Sequence, residues 1–497
     1  MNSPHIVSIH ILDDDSLLRI FYLHRPFLFG EFKMDFHNLR GGRGRWDQVR
    51  WWYRLAHVCQ RWRNLTLGAA SYLGLSLFCT IGTPVENMLA HSPPLPLTVD
   101  YRSEGGIAAE DEEGILLALK QRHRVRHLRL VFPVQNLRKI VMAIDGEFPI
   151  LEYLVVGSPL EDDTALVLPE TLQAPNLCHL FLNNVACPIR SRLHLAAASL
   201  VALILTINHQ SAYFQPNVLL QWLSYMPQLE VLAIIFLLPV PNREVERQLT
   251  HMQITTHITI PNLRFFGFRG VYAYMDAVVR RVTAPRLEEL RIQLLEPRTF
   301  SFPCLAEFMD TTEKHRFNDA MIIFKDKEIY VLMFSRDADT RALTVAVDCQ
   351  CWHLDCQVYV VTQICNALSQ AFSAVERLTL GHEVQSQSSE EHNDVDRIEW
   401  RNLLRSFSNV KTLRIVDGLV EELSHCLQLG DGELPLELLP ELQELIYFRI
   451  RDTRDAFTSF IDARQNAGRP VTLVCHKTKL SVVVLCSPCD YFDELQS

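Results

Sequence analysis

The stretch NVLLQWLSYMPQLEVLAI, residues 217–234, contains one structural unit of this chain. Its first part, NVLLQWLSYM (217–226), has apolar residues at the spacing of one helix face. Pro227 then ends the helical pattern, because proline lacks a backbone donor and favours extended neighbours. The following LEVLAI (229–234) places apolar residues at its first, fourth and sixth positions, as a strand with one face in a core does. The stretch therefore predicts a helix, a stop and a strand.

The same apolar-x-x-apolar-x-apolar motif occurs ten times, which predicts a repeat architecture. The ten occurrences are VRHLRL (125–130), LEYLVV (151–156), LCHLFL (177–182), LVALIL (200–205), LEVLAI (229–234), LRFFGF (263–268), LEELRI (287–292), VERLTL (375–380), VKTLRI (410–415) and LQELIY (442–447). Leucine-rich repeats have this signature, with parallel strands on a concave face and helices on a convex face. We therefore expect an α/β fold whose main part, residues 125–475, is an irregular leucine-rich-repeat solenoid.

The longest interval in the array separates LEELRI from VERLTL and holds further strand-like segments. These are AMIIF (320–324), IYVLMF (329–334) and ALTVAV (342–347). The KDKE sequence between the first two is typical of a hairpin turn. The number of repeats within residues 293–375 is left open.

A helical module over residues 8–80 is predicted before the repeats. Asp13, Asp14, Asp15 and Ser16 precede the apolar LLRIFYL (17–23), and such residues cap a helix and complement its positive end. A second helix is expected over about 50–67 and a short third element over 72–77. The remaining boundaries are a polar insert at about 26–47, an acidic connector leading into a helix at 81–124, and a C-terminal tail at 476–497.

The order DDDSLLRIF, then LAHVCQRWRNLTLGAASYLGLSL, resembles the F-box of mushroom-type fungal F-box proteins. The following GTPVENMLAHSPPLPLTVDY and the irregular leucine-rich array are also similar to that group, so the likeness covers most of the chain. Two features depart from the pattern. Leu12-Asp13 stands where the family has Leu-Pro, and Pro26–Asp47 is an insert between the first two helices.

The resemblance implies a non-catalytic substrate-recognition subunit of an SCF-type ubiquitin ligase. Its F-box would bind a Skp-type adaptor, and through it the cullin ligase core, while the repeats bind an unidentified protein substrate. Carried over by position, the adaptor-contact set is Leu17, Leu18, Ile20, Phe21, Leu55, Val58, Cys59, Trp62 and Leu65. We expect about half of this set to form the module's own core, and Trp62 to be the main anchor. The alternative, which the two departures favour, is a leucine-rich-repeat scaffold without ligase docking.

Alternation along the repeat strands predicts which side chains face away from the core. The positions between the apolar ones form an unusually apolar face with aromatic residues and arginines, and these residue types are favoured at interfaces. The predicted substrate-binding residues are Tyr153, Phe181, Ile204, Ile235, Phe265, Arg269 and Arg291. The alternatives are that the 88-residue interval covers this face, or that the register is off by one residue, which would turn these side chains inward.

Composition indicates a folded intracellular protein. The net charge of −10 argues against wholesale nucleic-acid binding, which needs a basic surface. No apolar run has the roughly 20 residues of a membrane helix, and the N-terminus lacks the features of a secretory signal. Thirteen cysteines without regular pairing fit reduced thiols. We expect a cytoplasmic or nuclear location.

Two further clusters have simpler explanations than a functional site. Cys349, Cys351, His353 and Cys356 lack a second ligand pair nearby, with Cys486 and Cys489 far downstream, so reduced thiols are favoured over zinc. A basic cluster suits RNA or a nuclear address, but a flexible insert and a solvated helix face explain it better: Arg40, Arg43, Arg45, Arg50, Arg54, Arg61 and Arg63. No phosphate loop, nucleophile elbow or HExxH motif occurs, so no enzyme, cofactor or metal is expected.

Overall fold

The computed structural model describes the chain over residues 11–25, 51–158, 166–188, 191–209, 212–237, 256–295, 305, 307–308, 317–325, 327–335, 341–348, 353–383, 397–416, 418–428, 436–448 and 457–476. These residues form an α/β protein in which mostly parallel strands alternate with helices, consistent with leucine-rich-repeat-like units. The contacts divide into two compact units, one within residues 1–196 and one within residues 197–486.

The described α-helices are short, mostly of two to three turns. They are α1 (Asp14–Leu23), α2 (Trp51–Ala56), α3 (Gln60–Gly68), α4 (Ala70–Leu73), α5 (Val85–His91), α6 (Ala109–Lys120), α7 (Val134–Val141), α8 (Pro216–Leu223), α9 (Tyr272–Val279), α10 (Leu354–Ala367), α11 (Ser369–Phe372), α12 (Arg397–Arg405), α13 (Val420–Leu427) and α14 (Thr458–Asn466). Segments of 3₁₀ helix cover Arg122–Arg124 and Arg192–Ser199.

The described strands are β1 (Leu77–Cys79), β2 (Leu97–Arg102), β3 (Val125–Val131), β4 (Tyr153–Gly157), β5 (Leu166–Val167), β6 (His179–Asn183), β7 (Val185–Ala186), β8 (Ala202–Ile207), β9 (Val231–Phe236), β10 (Ile258–Thr259), β11 (Phe265–Gly270), β12 (Val282–Thr283), β13 (Glu289–Leu294), β14 (Asp319–Lys325), β15 (Glu328–Phe334), β16 (Arg341–Asp348), β17 (Arg377–Glu383), β18 (Thr412–Ile415), β19 (Glu444–Phe448) and β20 (Thr472–His476). Among these residues, sixteen strands form mostly parallel sheet. The first unit has the order β1-β2-β3-β4-β6, and the second has β8-β9-β11-β13-β16-β15-β14-β17-β18-β19-β20.

Each of the ten motifs forms a strand, as predicted. The LEVLAI motif shows the common arrangement, since Leu229 lies just before β9 and is fully buried, together with Leu232 and Ile234. A side-chain hydrogen bond also links neighbouring repeats. Nδ2 of Asn262 donates to the backbone carbonyl of Pro227 at 3.0 Å. Fully burying one leucine contributes about 1.5–3 kcal/mol, so the repeated apolar positions supply much of the stability.

The long interval of the array holds a three-stranded meander inserted in reverse order. β14 pairs with β15 and β15 with β16, both antiparallel, which confirms the hairpin predicted from KDKE. The outer two strands pair in parallel with the repeats on either side, β16 with β13 and β14 with β17. The insertion therefore continues the sheet without interrupting its parallel edges.

The helical module differs from its predicted boundaries. The single helix expected over 50–67 is two helices, α2 and α3, separated near His57. The third element, expected over 72–77, is the short α4, which ends at Gly74 in the left-handed region with φ of 63°. Strand pairing begins directly afterwards, with Leu77 of β1 opposite Leu97 of β2, so parallel sheet starts well before residue 125. The predicted insert at 26–47 and all but the first residue of the tail at 476–497 lie outside the described residues.

Candidate functional site

The N-terminal module is built on a capped first helix. The carboxylate of Asp13 accepts a hydrogen bond from the backbone N–H of Ser16 at 2.7 Å, the N-cap arrangement that the sequence predicted. Arg61 of α3 then joins the two helices, since its guanidinium donates to Asp14 at 2.6 Å and to the carbonyl of Leu12 at 2.7 Å. Asp13 thus starts the first helix through its side chain.

The buried side of this module uses part of the predicted contact set. Leu17 and Phe21 are 0% and 1% exposed, so they are internal core. The ring of Trp62 lies edge-on to that of Phe21, with centroids 4.8 Å apart. Trp62 is only partly exposed, and this packing makes it first a support for α1.

The module also exposes large apolar side chains, which we call the module patch: Ile20, Tyr22 and Leu23 of α1 with Tyr72 of α4. Their exposed fractions are 43%, 36%, 71% and 48%. The rings of Tyr22 and Tyr72 contact each other at 5.1 Å between centroids, which joins the two helices at the surface. Exposed apolar clusters of this kind mark protein-binding sites.

The predicted adaptor residues thus divide into three groups. Leu17 and Phe21 are buried, and Ile20 and Val58 are exposed. The partly exposed members are Leu18, Leu55, Cys59, Trp62 and Leu65. The predicted set did not include the exposed Tyr22, Leu23 and Tyr72, although all three are large side chains on the predicted helical elements.

In the first unit, the face opposite the leucine core carries a row of polar and aromatic groups. Thr98, His127, Tyr153 and His179 occupy equivalent positions on β2, β3, β4 and β6. The rings of Tyr153 and the predicted partner-binding Phe181 meet edge to face at 5.3 Å.

A buried arginine, Arg129, forms hydrogen bonds to residues of this row and next to it. Arg129 is 5% exposed and donates to the hydroxyl of Tyr153 at 2.9 Å and to the carboxylate of Asp100 at 3.4 Å. Burial disfavours the guanidinium charge, but Tyr153 and Asp100 outweigh it and raise the pKa of Arg129. Arg102 pairs with the same carboxylate at 3.4 Å. Two guanidinium groups thus share one carboxylate.

Burial also lowers the pKa values of the two histidines on this face. It lowers the pKa of His127 to about 3, with a smaller contribution from the nearby charge of Arg126. Burial likewise lowers the pKa of His179. His127 is therefore neutral at physiological pH, and its imidazole contributes polar atoms but no charge to this face.

In the second unit, the predicted substrate-binding residues occupy neighbouring strand positions. Arg291 lies over the ring of Phe265, 5.6 Å from its centroid, and pairs with Glu289 at 2.6 Å. Arg269 is directly opposite Ile235 in the pairing of β11 with β9.

The expectation that all seven predicted substrate-binding residues are exposed is corrected by the structure. The buried members, 0–5% exposed, are Tyr153, Ile204, Ile235 and Phe265. The partly exposed members are Phe181, Arg269 and Arg291. The physical reason is that large side chains on neighbouring strands cover one another: the ring of Tyr153 contacts His127, His179 and Phe181, and Arg291 lies over Phe265. Whether any of the seven contacts a partner stays a prediction.

The remaining sequence motifs do not converge on a metal site within the described residues, where no group of three potential ligands lies close enough to hold an ion. His353 precedes α10 and Cys356 lies exposed within it, whereas Cys349, Cys351, Cys486 and Cys489 fall outside the described ranges. The basic cluster is likewise only partly described: Arg54 and Arg63 are exposed, Arg61 is held by Asp14, and Arg40, Arg43, Arg45 and Arg50 are not described.

The fold and surfaces define an α/β protein of leucine-rich-repeat-like units with a helical N-terminal module. No protein-family model matches the sequence, and no curated protein matches it. In the part of the chain that the structure describes, no helix is long and apolar enough to cross a membrane.

Proposed function

We propose that this chain is a non-catalytic substrate adaptor of an SCF-type ubiquitin ligase. In this proposal, the N-terminal module is an F-box-like domain that binds a Skp-type adaptor and the cullin ligase core, and the repeats bind a protein substrate. The cytoplasm or nucleus is the corresponding location. The ligase would gain from the high effective concentration of a substrate held beside the transfer machinery.

The module patch is the observation that carries the proposal. The N-cap of Asp13, the Arg61–Asp14 ion pair and the Phe21–Trp62 contact hold the module together internally. Four large side chains nevertheless remain exposed on its surface: Ile20, Tyr22, Leu23 and Tyr72. An apolar helix face of this kind fits into a hydrophobic groove of a partner. The sequence resemblance to F-box proteins names the partner class, and exposed Val58 adds a predicted contact residue.

The substrate proposal uses the partly exposed residues of the repeat strands. Phe181, Arg269 and Arg291 are the proposed direct contacts. Tyr153 and Phe265 hold Phe181 and Arg291 through the ring contacts at 5.3 and 5.6 Å. Rigid aromatic and arginine side chains are the favoured anchors of interfaces.

The docking test is co-purification of the full-length chain with a Skp-type adaptor and a cullin. We expect Ile20→Asp and Leu23→Asp each to weaken the complex by about thirtyfold, the effect of losing about 2 kcal/mol at an interface hot spot. Met142→Asp is the matched control, because Met142 is 71% exposed, as is Leu23, but lies just after α7. Trp62→Ala is a poor test, because it also removes the contact with Phe21.

The alternative is a leucine-rich-repeat scaffold without ligase docking, which the Leu12-Asp13 opening favours. Absence of a complex with the wild-type protein would favour the scaffold, whereas a complex unaffected by both patch variants would show that the adaptor does not bind at the module patch. Affinity mass spectrometry of the full chain with Phe181→Ala and Arg291→Ala tests the substrate surface separately. Loss of a specific captured protein with adaptor binding intact is the expected result.

A further inference from the structure

A cavity of about 150 Å³ lies within the first unit, between the helical module and the first strands. Trp51 and Trp52 of α2 form part of its wall, and Thr98 of β2 and His127 of β3 form another part. The indole of Trp52 is held in place by its Nε1–H, which donates to the carbonyl of Ser76 at 3.3 Å. The volume suits one small group, since an apolar cavity of similar size holds a benzene molecule.

The first charged group of the cavity is Arg25, two residues after α1. Its guanidinium approaches Gly74 so closely that a Cβ there would lie 3.2 Å from Nη1, and Gly74 already adopts a φ of +63°. The guanidinium also stacks on the ring of Tyr22 at 5.4 Å. Among the described residues, no carboxylate forms an ion pair with Arg25. Its charge therefore remains available at the cavity.

The second charged group is Arg126, which a β-bulge directs to the cavity. Leu97 pairs with Val125 and Thr98 with His127, so Arg126 is an extra residue in β3. Its Nε donates to Glu152 at 2.8 Å, which leaves its two Nη groups for another acceptor. Within the described part of the chain, no Asp or Glu lines the cavity.

The polar wall adds hydrogen-bonding groups without adding negative charge. The hydroxyl of Thr98 and Nδ1 of His127 are 3.2 Å apart and bonded to each other. His127 is neutral at physiological pH, as described above. The cavity is thus lined by two arginines from different segments of the chain, together with residues that carry hydroxyl, imidazole and indole groups.

We propose that this cavity binds a tetrahedral oxyanion, either inorganic phosphate or the phosphate of a phosphorylated side chain. Guanidinium groups bind phosphate through charge-assisted hydrogen bonds, and the partly enclosed, indole-walled site strengthens them relative to open water. Two cations approaching from separate elements match an acceptor with oxygens in several directions. The site adjoins the module patch through the contact of Arg25 with Tyr22, but phosphate binding does not require ligase docking.

The test measures binding of inorganic phosphate to the full-length protein by calorimetry, at constant ionic strength set with potassium chloride. We expect saturable binding that Arg25→Gln and Arg126→Gln each weaken by about tenfold or more, the effect of losing one charged hydrogen bond. Arg54→Gln is the matched control, because Arg54 is an exposed arginine of α2 that does not line the cavity. Circular dichroism of each variant checks that the fold is retained.

Glu152→Gln gives a test with the opposite sign. Removing this carboxylate frees Arg126 from its 2.8 Å ion pair, so phosphate should bind several-fold more tightly. A variant that only disturbed the structure would not improve binding.

A phosphoserine peptide compared with inorganic phosphate identifies the source of the anion. Tighter binding of the phosphopeptide assigns the cavity to a phosphorylated protein, and equal or weaker binding assigns it to free phosphate. Absence of saturable binding by both ligands, or binding that both arginine variants leave unchanged, overturns the proposal.

Discussion

Arg464 of α14 is a buried cation that binds the turn before β19. It is 0% exposed, and its guanidinium donates to the backbone carbonyls of Leu438, Leu439, Pro440 and Leu442 at 3.4, 3.1, 3.2 and 3.1 Å. Leu439 has a φ of 49°, a left-handed conformation that costs a leucine about 1–2 kcal/mol. The arginine therefore supplies side-chain donors to the carbonyls of a strained turn, in which the Leu439 carbonyl also accepts from the backbone N–H of Leu442 at 3.0 Å.

Replacing Arg464 with Met keeps most of the side-chain stem and removes every donor. Four hydrogen bonds to a charged group contribute about 6 kcal/mol or more at 1.5–3 kcal/mol each, and several kcal/mol of guanidinium desolvation offset this. We expect Arg464→Met to lower the free energy of unfolding of this segment by about 3 kcal/mol. Arg464→Lys should cost less, because an ammonium group retains three donors.

Native-state hydrogen exchange of the β19 and β20 amides measures this local stability without assuming that the whole chain unfolds in one step. Arg469→Met is the control: Arg469 is 57% exposed and its ion pair with Glu441, at 3.5 Å, should contribute less than about 1 kcal/mol. Equal exchange in the Arg464→Met and Arg469→Met variants would show that the hydrogen bonds of Arg464 do not stabilise this segment.

Three further predictions concern the repeat strands. Tyr153→Phe keeps the ring contacts but removes the acceptor 2.9 Å from buried Arg129, so chemical denaturation should show a loss of about 1–3 kcal/mol. The pKa of His127 is about 3 in the folded state, below its unfolded value, so protonation favours unfolding. Stability should fall by about 1.4 kcal/mol per pH unit from about pH 6 down towards pH 3 because of this group, and pH-dependent melting of His127→Gln should show a shallower fall. Asn262→Ala removes the 3.0 Å bond to the Pro227 carbonyl and should lower the melting temperature, with a loss of about 1 kcal/mol in denaturant titrations; an unchanged midpoint would contradict a structural role for this bond.

The strands of this protein follow from local sequence patterns. All ten motifs form strands, and the KDKE hairpin pairs as predicted. Strand periodicity and turn chemistry act over a few residues, so they can be read without knowing which segments meet.

Part of the candidate site could be predicted in the same way. The capped α1 and the exposed Ile20 and Val58 agree with the sequence interpretation. Leu17 and Phe21 are the only two of the nine predicted contact residues that are buried, fewer than the half expected, and the sequence did not indicate which ones they would be. Helical periodicity identifies one apolar face, whereas the packing of α3 and α4 decides which part of it stays exposed.

Local patterns in the sequence were enough to predict the repeat strands, their order and the first helix. The parallel pairing of β16 with β13, the burial of Tyr153 and Phe265, and the lining of one cavity by both Arg25 and Arg126 became visible only in the folded chain. Each of these depends on segments far apart in the chain that meet only on folding. The energy of such contacts comes from desolvation and pairing across distant strands, which no local pattern records.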